Sequence, residues 1–199
     1  MEHKDALTTV GQIISKRNFR STSLTNSVCK TFGDAKQMLS LFNPDMQMVW
    51  CQDRAECILG RYPTLLQLKK VYGQNVVESL IEIQLNDLNK FSNVREKMSI
   101  EQLDSTARVI IINYPSMKVT ELLLFFVMLK GGKYGKFYGA VDGMAITDAL
   151  HRHEQWLYVM RRELPHDISM SAELQRIEER KQKILLTDNK RNIGYERNK

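Results

Sequence analysis

Between Lys130 and Gly143 the chain reads KGGKYGKFYGAVDG, in which Lys130, Lys133 and Lys136 alternate with the rings of Tyr134, Phe137 and Tyr138. Lysines make salt-dependent contacts to phosphate, and a base stacked on an exposed ring contributes about 1–3 kcal/mol, so these residue types together can hold nucleic acid. No acid intervenes before Asp142, which leaves the stretch locally positive. Gly131, Gly132, Gly135, Gly139 and Gly143 open backbone conformations that side chains disfavour. The same composition also suits a tight helix connection, in which Phe137 and a tyrosine seal the core and the lysines are solvated. Arg152, Arg161 and Arg162 are candidates for the second half of a contact surface. Arg161 follows Arg152 by roughly two and a half helical turns and is expected to share its face.

Catalytic chemistry has less support. The chain contains no phosphate loop ending in Lys-Ser or Lys-Thr, no nucleophile elbow and no zincin helix motif, so the expectation is a protein that is not an enzyme and takes no cofactor. Glu78 and Glu82, four apart on one helix, have the spacing to share a cation, but such pairs are common on exposed helix surfaces. His151 and His153 are two apart and point to different faces, a poor geometry for joint metal binding. His153 is expected beside Glu154 at a solvated edge. Cys51 and Cys57 lack the spacing of a zinc knuckle, and with Cys29 they make an odd number of thiols, so reduced structural cysteines are expected and no metal site.

Whatever these residues do, helices must position them. With 4 prolines and 10 glycines in 199 residues, long helices are permitted, and regularly spaced turn signals of a β-sandwich are missing. The 43% hydrophobic content is enough for a folded core. A net charge of +6, from 29 bases against 23 acids, permits a polyanionic partner without requiring one. The start carries Glu2 and Asp5 and no apolar core of signal-peptide length, and the longest apolar run, Leu122 to Leu129, is far short of the roughly 20 residues that cross a bilayer. A cytoplasmic protein without membrane contact is the expectation.

The helical pattern can be followed along the chain. Asp34 is placed to cap a helix with Met38, Leu39, Leu41 and Phe42 as its apolar positions, broken by Asn43-Pro44-Asp45. A short helix is expected from Tyr62 to Gly73. The next aligns Val77, Leu80, Ile81, Leu85, Leu88 and Phe91 on one stripe, with Glu78, Glu82 and Asp87 mostly on the other side. Ser99 and Gln102 form a capping box for a helix that runs to Pro115. A following helix, apolar nearly all round, is expected at the centre of a bundle and ends at Gly131 and Gly132. Asp142 is a candidate cap for a helix closed by Pro165, with Ile146, Leu150, Trp156, Leu157 and Met160 as apolar positions. Residues 171–186 form one more candidate helix of alternating charge, before a frayed basic tail. The drawing is all-α: an irregular multi-helix bundle with a Gly/aromatic/Lys-rich inter-helix loop and a protruding, charged C-terminal helix. Its expected divisions are N-terminal helical segments (1–60), a helical core (61–165), and the C-terminal helix and tail (166–199).

The stretches LIEIQLNDLNKFSNVREKMSIEQLDSTARVII and KVTELLLFFVMLKGGKYGKFYGAVDGMAITDAL resemble an uncharacterised family of small bacterial proteins associated with mobile genetic elements, whose hallmark lies around Tyr134 to Asp142. The resemblance runs from Pro63 to near Arg162, and members of that family carry no assigned activity. Gly143 stands where the family pattern places proline. In layout the chain is also similar to the small helical loaders of phage and plasmid replicative helicases, which implies a protein that binds a helicase or single-stranded DNA without hydrolysing anything. The function expected on these grounds is a noncatalytic accessory protein of DNA replication or mobile elements, contacting single-stranded or duplex DNA or a replicative helicase. The alternative is a protein-interaction module docking through the C-terminal helix, with exposed Ile177, Ile184 and Leu185 as anchors.

Overall fold

Side-chain caps fix where the helices begin. In the computed structural model, which describes residues 23, 25–137, 139–164, 175–184 and 186, α1 covers residues 25–32. The start of α2 (Ala35–Leu41) is set by Asp34, whose carboxylate accepts from the Gln37 amide while the Gln37 side chain accepts from the Asp34 amide. A 3-10 turn at Pro44–Met46, capped by Asn43, leads into α3 (Gln47–Trp50), and Asp53 caps α4 (Arg54–Leu59). Capping boxes of Thr64 with Gln67 and Ser99 with Gln102 open α5 (Leu65–Tyr72) and α7 (Ile100–Asn113). Between them, α6 (Gln74–Phe91) follows α5 across Gly73 alone, at φ +91°, a turn that a side chain would strain. Then come α8 (Val119–Lys130), α9 (Gly143–Glu163) with Asp142 as its cap, and α10 over residues 175–184. Among the described residues the regular structure is helical, with two isolated β-bridges and no strand, so the fold is all-α.

The apolar helix α8 is the central element. Leu122, Leu123, Leu124, Phe125 and Phe126 are all within 1% of full burial, covered by α3, α4, α6 and α9. Its start is tied to two earlier segments. The amides of Leu65 and Val119 donate to the carbonyls of Met117 and Pro63, which forms the antiparallel bridge Thr64–Lys118. Lys118 Nζ donates to the carbonyls of Ile58 and Gly60 at 2.7 Å each, and the Thr120 hydroxyl to Cys57 at 2.9 Å. These three bonds satisfy carbonyls at the C-terminal end of α4, where a cation is favoured.

The expected stripe of α6 is buried from Val77 to Leu88, but Phe91 is 59% exposed. It is the last residue of the helix and lies past the elements that cover the stripe. Glu78, expected on the outer face, is buried beside Arg108 at 3.5 Å.

The C-terminal helix does not protrude. Ile177 and Ile184 are 3% and 1% exposed and belong to the same buried cluster as Val28, Phe32 and Trp50. Arg180 bridges Glu56 at 2.7 Å with both side chains buried, and also donates to the Trp50 carbonyl at 2.8 Å. The two isoleucines therefore cover the molecule's own core, and a partner has no exposed anchor in them. Leu185, Pro165 and residues 187–199 lie outside the described residues. No helix among those described is long and apolar enough to cross a membrane.

Candidate nucleic-acid interface

The loop between α8 and α9 is folded back onto α9. Gly132, Gly135 and Gly139 have φ of +78°, +102° and +82°, so three of its glycines occupy the region that side chains avoid. Amides of Gly132 and Lys133 return to the carbonyls of Leu129 and Met128, closing the end of α8. The chain then drops Tyr134 into the core.

Tyr134 is 8% exposed and therefore offers no stacking face, which corrects the expectation that its ring alternates with the lysines on a surface. Its hydroxyl lies 2.6 Å from His153 Nδ1, and its ring packs 5.9 Å from Phe125. His153 is fully buried rather than at a solvated edge, because α9 turns it toward the loop and α8; His151 faces solvent as its offset implies. Burial pushes the His153 imidazole down to about 4, and burial likewise pushes the Tyr134 phenol up to about 12.

The lysines part company. Lys130 is held by Asp87 and by Gln47 Oε1 at 2.8 Å, with little of its side chain exposed, so its charge is answered inside the protein. Lys133 Nζ stands 3.5 Å from the centroid of Trp156, a close cation–π contact, and desolvation there lowers its proton affinity. Lys136 is exposed. Phe137 is half-buried against the core, and Tyr138 lies outside the described residues.

The three arginines do not form one face. Arg152 donates to the Tyr134 carbonyl at 3.0 Å and to Asp148 at 2.9 Å, which fastens the loop to α9. Arg161 instead reaches α8, where it meets the fully buried Glu121 at 2.7 Å. A separation of two and a half turns is a half-turn offset, so the two side chains leave α9 on opposite sides. Arg162 is exposed, 5.9 Å from the Tyr158 ring, and sits roughly two and a half turns beyond His153, away from the loop.

A second segment joins the loop. The Glu96 amide donates to the Gly139 carbonyl at 3.2 Å and the Val141 amide to the Glu96 carbonyl at 3.0 Å, a parallel bridge between Glu96 and Ala140. This joins the segment that carries the exposed bases Lys90, Arg95 and Lys97 to the Gly139–Val141 end of the loop that carries the exposed Lys136. Residues 90–97 and 130–143 together hold six bases against the two acids Glu96 and Asp142. The contribution of NKFSNVREK was legible only as a base-rich helix end. That it lies beside the glycine loop is a tertiary fact.

Two cavities flank Lys136 and Phe137. One, of about 290 Å³, opens toward Phe91 on α6; the other, of about 160 Å³, opens toward Asp148 and Arg152 on α9. Among the described residues no group of three or more histidine, cysteine or carboxylate side chains is arranged to hold a metal. The cysteines among them are free thiols, with Cys57 buried.

Residues 97–165, about a third of the chain, match the model of a family of unknown function, DUF6633. The match spans α7, α8, the glycine loop and α9. No curated protein and no solved structure matches the chain.

Proposed function

We propose that this chain is a noncatalytic accessory protein of DNA transactions that contacts nucleic acid through the surface shared by residues 90–97 and the glycine loop. The observation that supports the reading is the bridge at Glu96 and Ala140, which joins the segment carrying the exposed bases Lys90, Arg95 and Lys97 to the loop that carries the exposed Lys136. An exposed ring, Phe91, follows Lys90 in the chain and lines one cavity with Lys136. Cations tracking a phosphate backbone with an aromatic side chain between them are the common elements of sequence-tolerant nucleic-acid binding. Participation in mobile-element functions belongs to the same proposal on the resemblance around Tyr134 to Asp142, and replication functions with a replicative helicase as protein partner belong to it on the similarity of layout to helicase loaders. Arg161 is committed to Glu121 and Lys130 to Asp87, so neither is assigned to the contact surface.

The test is fluorescence anisotropy of labelled DNA at two salt concentrations. Binding is expected to weaken with salt, and Lys90→Ala and Lys136→Ala are each expected to lower the slope of log K against log salt by about 1. Neither substitution removes a buried contact, so the variants should keep wild-type helical content. Absence of binding at low salt, or binding indifferent to both substitutions, refutes the proposal.

A further inference from the structure

The cavity beside Phe91, of about 290 Å³, carries two phenylalanine rings in its lining. Leu88 and Leu129, both buried, line it together with Phe91, Phe137, Ser92 and Lys136. At Gly132 and Gly135 an added Cβ would meet nothing within 4 Å, so the backbone at the mouth is open rather than packed under another element. Phe91 is 59% exposed although it continues the buried stripe of α6, and the Lys130 ammonium, fixed by Asp87, lies 5.8 Å from its ring centroid. Lys97 binds the Asn89 carbonyl and reaches 3.5 Å from Ser92 Oγ, which places a second cation beside a residue that lines the cavity.

From this arrangement, which rests on the nucleic-acid reading above, we infer that the Phe91 cavity is a subsite for an unpaired nucleobase, and that the ligand of the surface is a single strand. A lining that combines two leucines with two aromatic rings is matched by the face of a base. In a duplex those faces are buried in the stack, so a duplex meets only the lysines. Lys136 in the lining and Lys97 beside Ser92 supply cations for the phosphates that flank an inserted base.

The experiment compares a labelled oligo-dT strand with a labelled duplex, using the full chain and the variants Phe91→Ala and Phe91→Tyr. Wild type is expected to prefer the single strand. Phe91→Ala should weaken single-strand binding roughly ten-fold or more and leave duplex binding within about two-fold, while Phe91→Tyr, which keeps the ring, retains the preference. An exposed side chain is being removed, so folding is not at stake, and circular dichroism checks it. Unchanged single-strand binding in Phe91→Ala, or equal losses on both ligands, overturns the inference. Duplex binding without single-strand binding overturns it too but leaves the broader proposal standing; no binding to either ligand removes both.

Discussion

The Tyr134 hydroxyl lies 2.6 Å from Nδ1 of His153, while Nε2 of the same ring lies 3.1 Å from the carbonyl oxygen of Glu121. A backbone carbonyl can only accept, so Nε2 carries the proton and Nδ1 accepts from the tyrosine. The neutral imidazole thereby joins the glycine loop, α9 and α8 at one buried point. Phe125 and Trp156 lie 5.5 Å from it on two sides, and the Arg161–Glu121 pair lies on the same turn of α8. Arg161 and the Lys133 ammonium over Trp156 add to burial in keeping the ring uncharged.

A pH dependence follows from that burial. The histidine has a reference value of 6.5 and a folded value of about 4, so between them the unfolded chain binds the additional proton. The contribution of neutral His153 is complete above the reference value and declines as pH falls toward the folded one, by on the order of 3 kcal/mol in all. Urea midpoints taken near about pH 7 and about pH 5 should differ more in wild type than in His153→Gln, which does not titrate. Equal pH dependence in the two proteins would exclude His153 as the titrating group.

Substitutions at Tyr134 should act on stability. Tyr134→Phe leaves His153 Nδ1 without its donor in a dry site and is expected to cost about 1–3 kcal/mol. Tyr134→Ala also empties the space against Phe125 and is expected to cost more, about 3–5 kcal/mol. Thermal unfolding followed by circular dichroism orders the two. A Tyr134→Ala protein as stable as wild type would place the ring outside the core.

Arg180 and Glu56 hold α10 to the N-terminal helices. Both side chains are buried, and Tyr62 donates to the other carboxylate oxygen of Glu56 at 2.6 Å. Arg180→Ala strands a buried carboxylate and is expected to lower the unfolding free energy by about 3–5 kcal/mol. The denaturant midpoint measures it, and a loss below about 1 kcal/mol would mean that the pair behaves as an exposed one.

Gly143 is restricted by a neighbour. A Cβ built there would lie 2.6 Å from Thr106 Oγ1, although glycine to alanine in a helix is otherwise favourable. Gly143→Ala is expected to destabilise by about 1–3 kcal/mol, and adding Thr106→Ala should recover most of the loss. The double-mutant cycle measures the coupling directly. Additive effects would show that the two residues do not touch.

Helix positions were legible because their signals are local. Asp34, Ser99 and Asp142 cap amides within a few residues of themselves, and an all-round apolar run such as Leu122 to Leu129 has nowhere to go but the interior. The candidate loop was legible as composition. Its division of labour was not: Tyr134 faces in, Lys130 and Arg161 pair with Asp87 and Glu121, and Phe91 faces out. Neither periodicity nor charge distinguishes a tyrosine that finds a histidine nineteen residues away from one that meets solvent.

The sequence by itself determined an all-α chain, the starts of the helices capped by Asp34, Ser99 and Asp142, the central place of α8, and a glycine loop between α8 and α9, but not the short helices α3 and α4. Tertiary structure alone decided that α10 packs inward through Ile177 and Ile184, and that residues 90–97 flank the loop. The reason is the range of the forces involved: capping and helical periodicity act within a turn or two, whereas the Arg180–Glu56 pair and the Glu96–Ala140 bridge join residues far apart in the chain, whose meeting depends on how all the helices share one core.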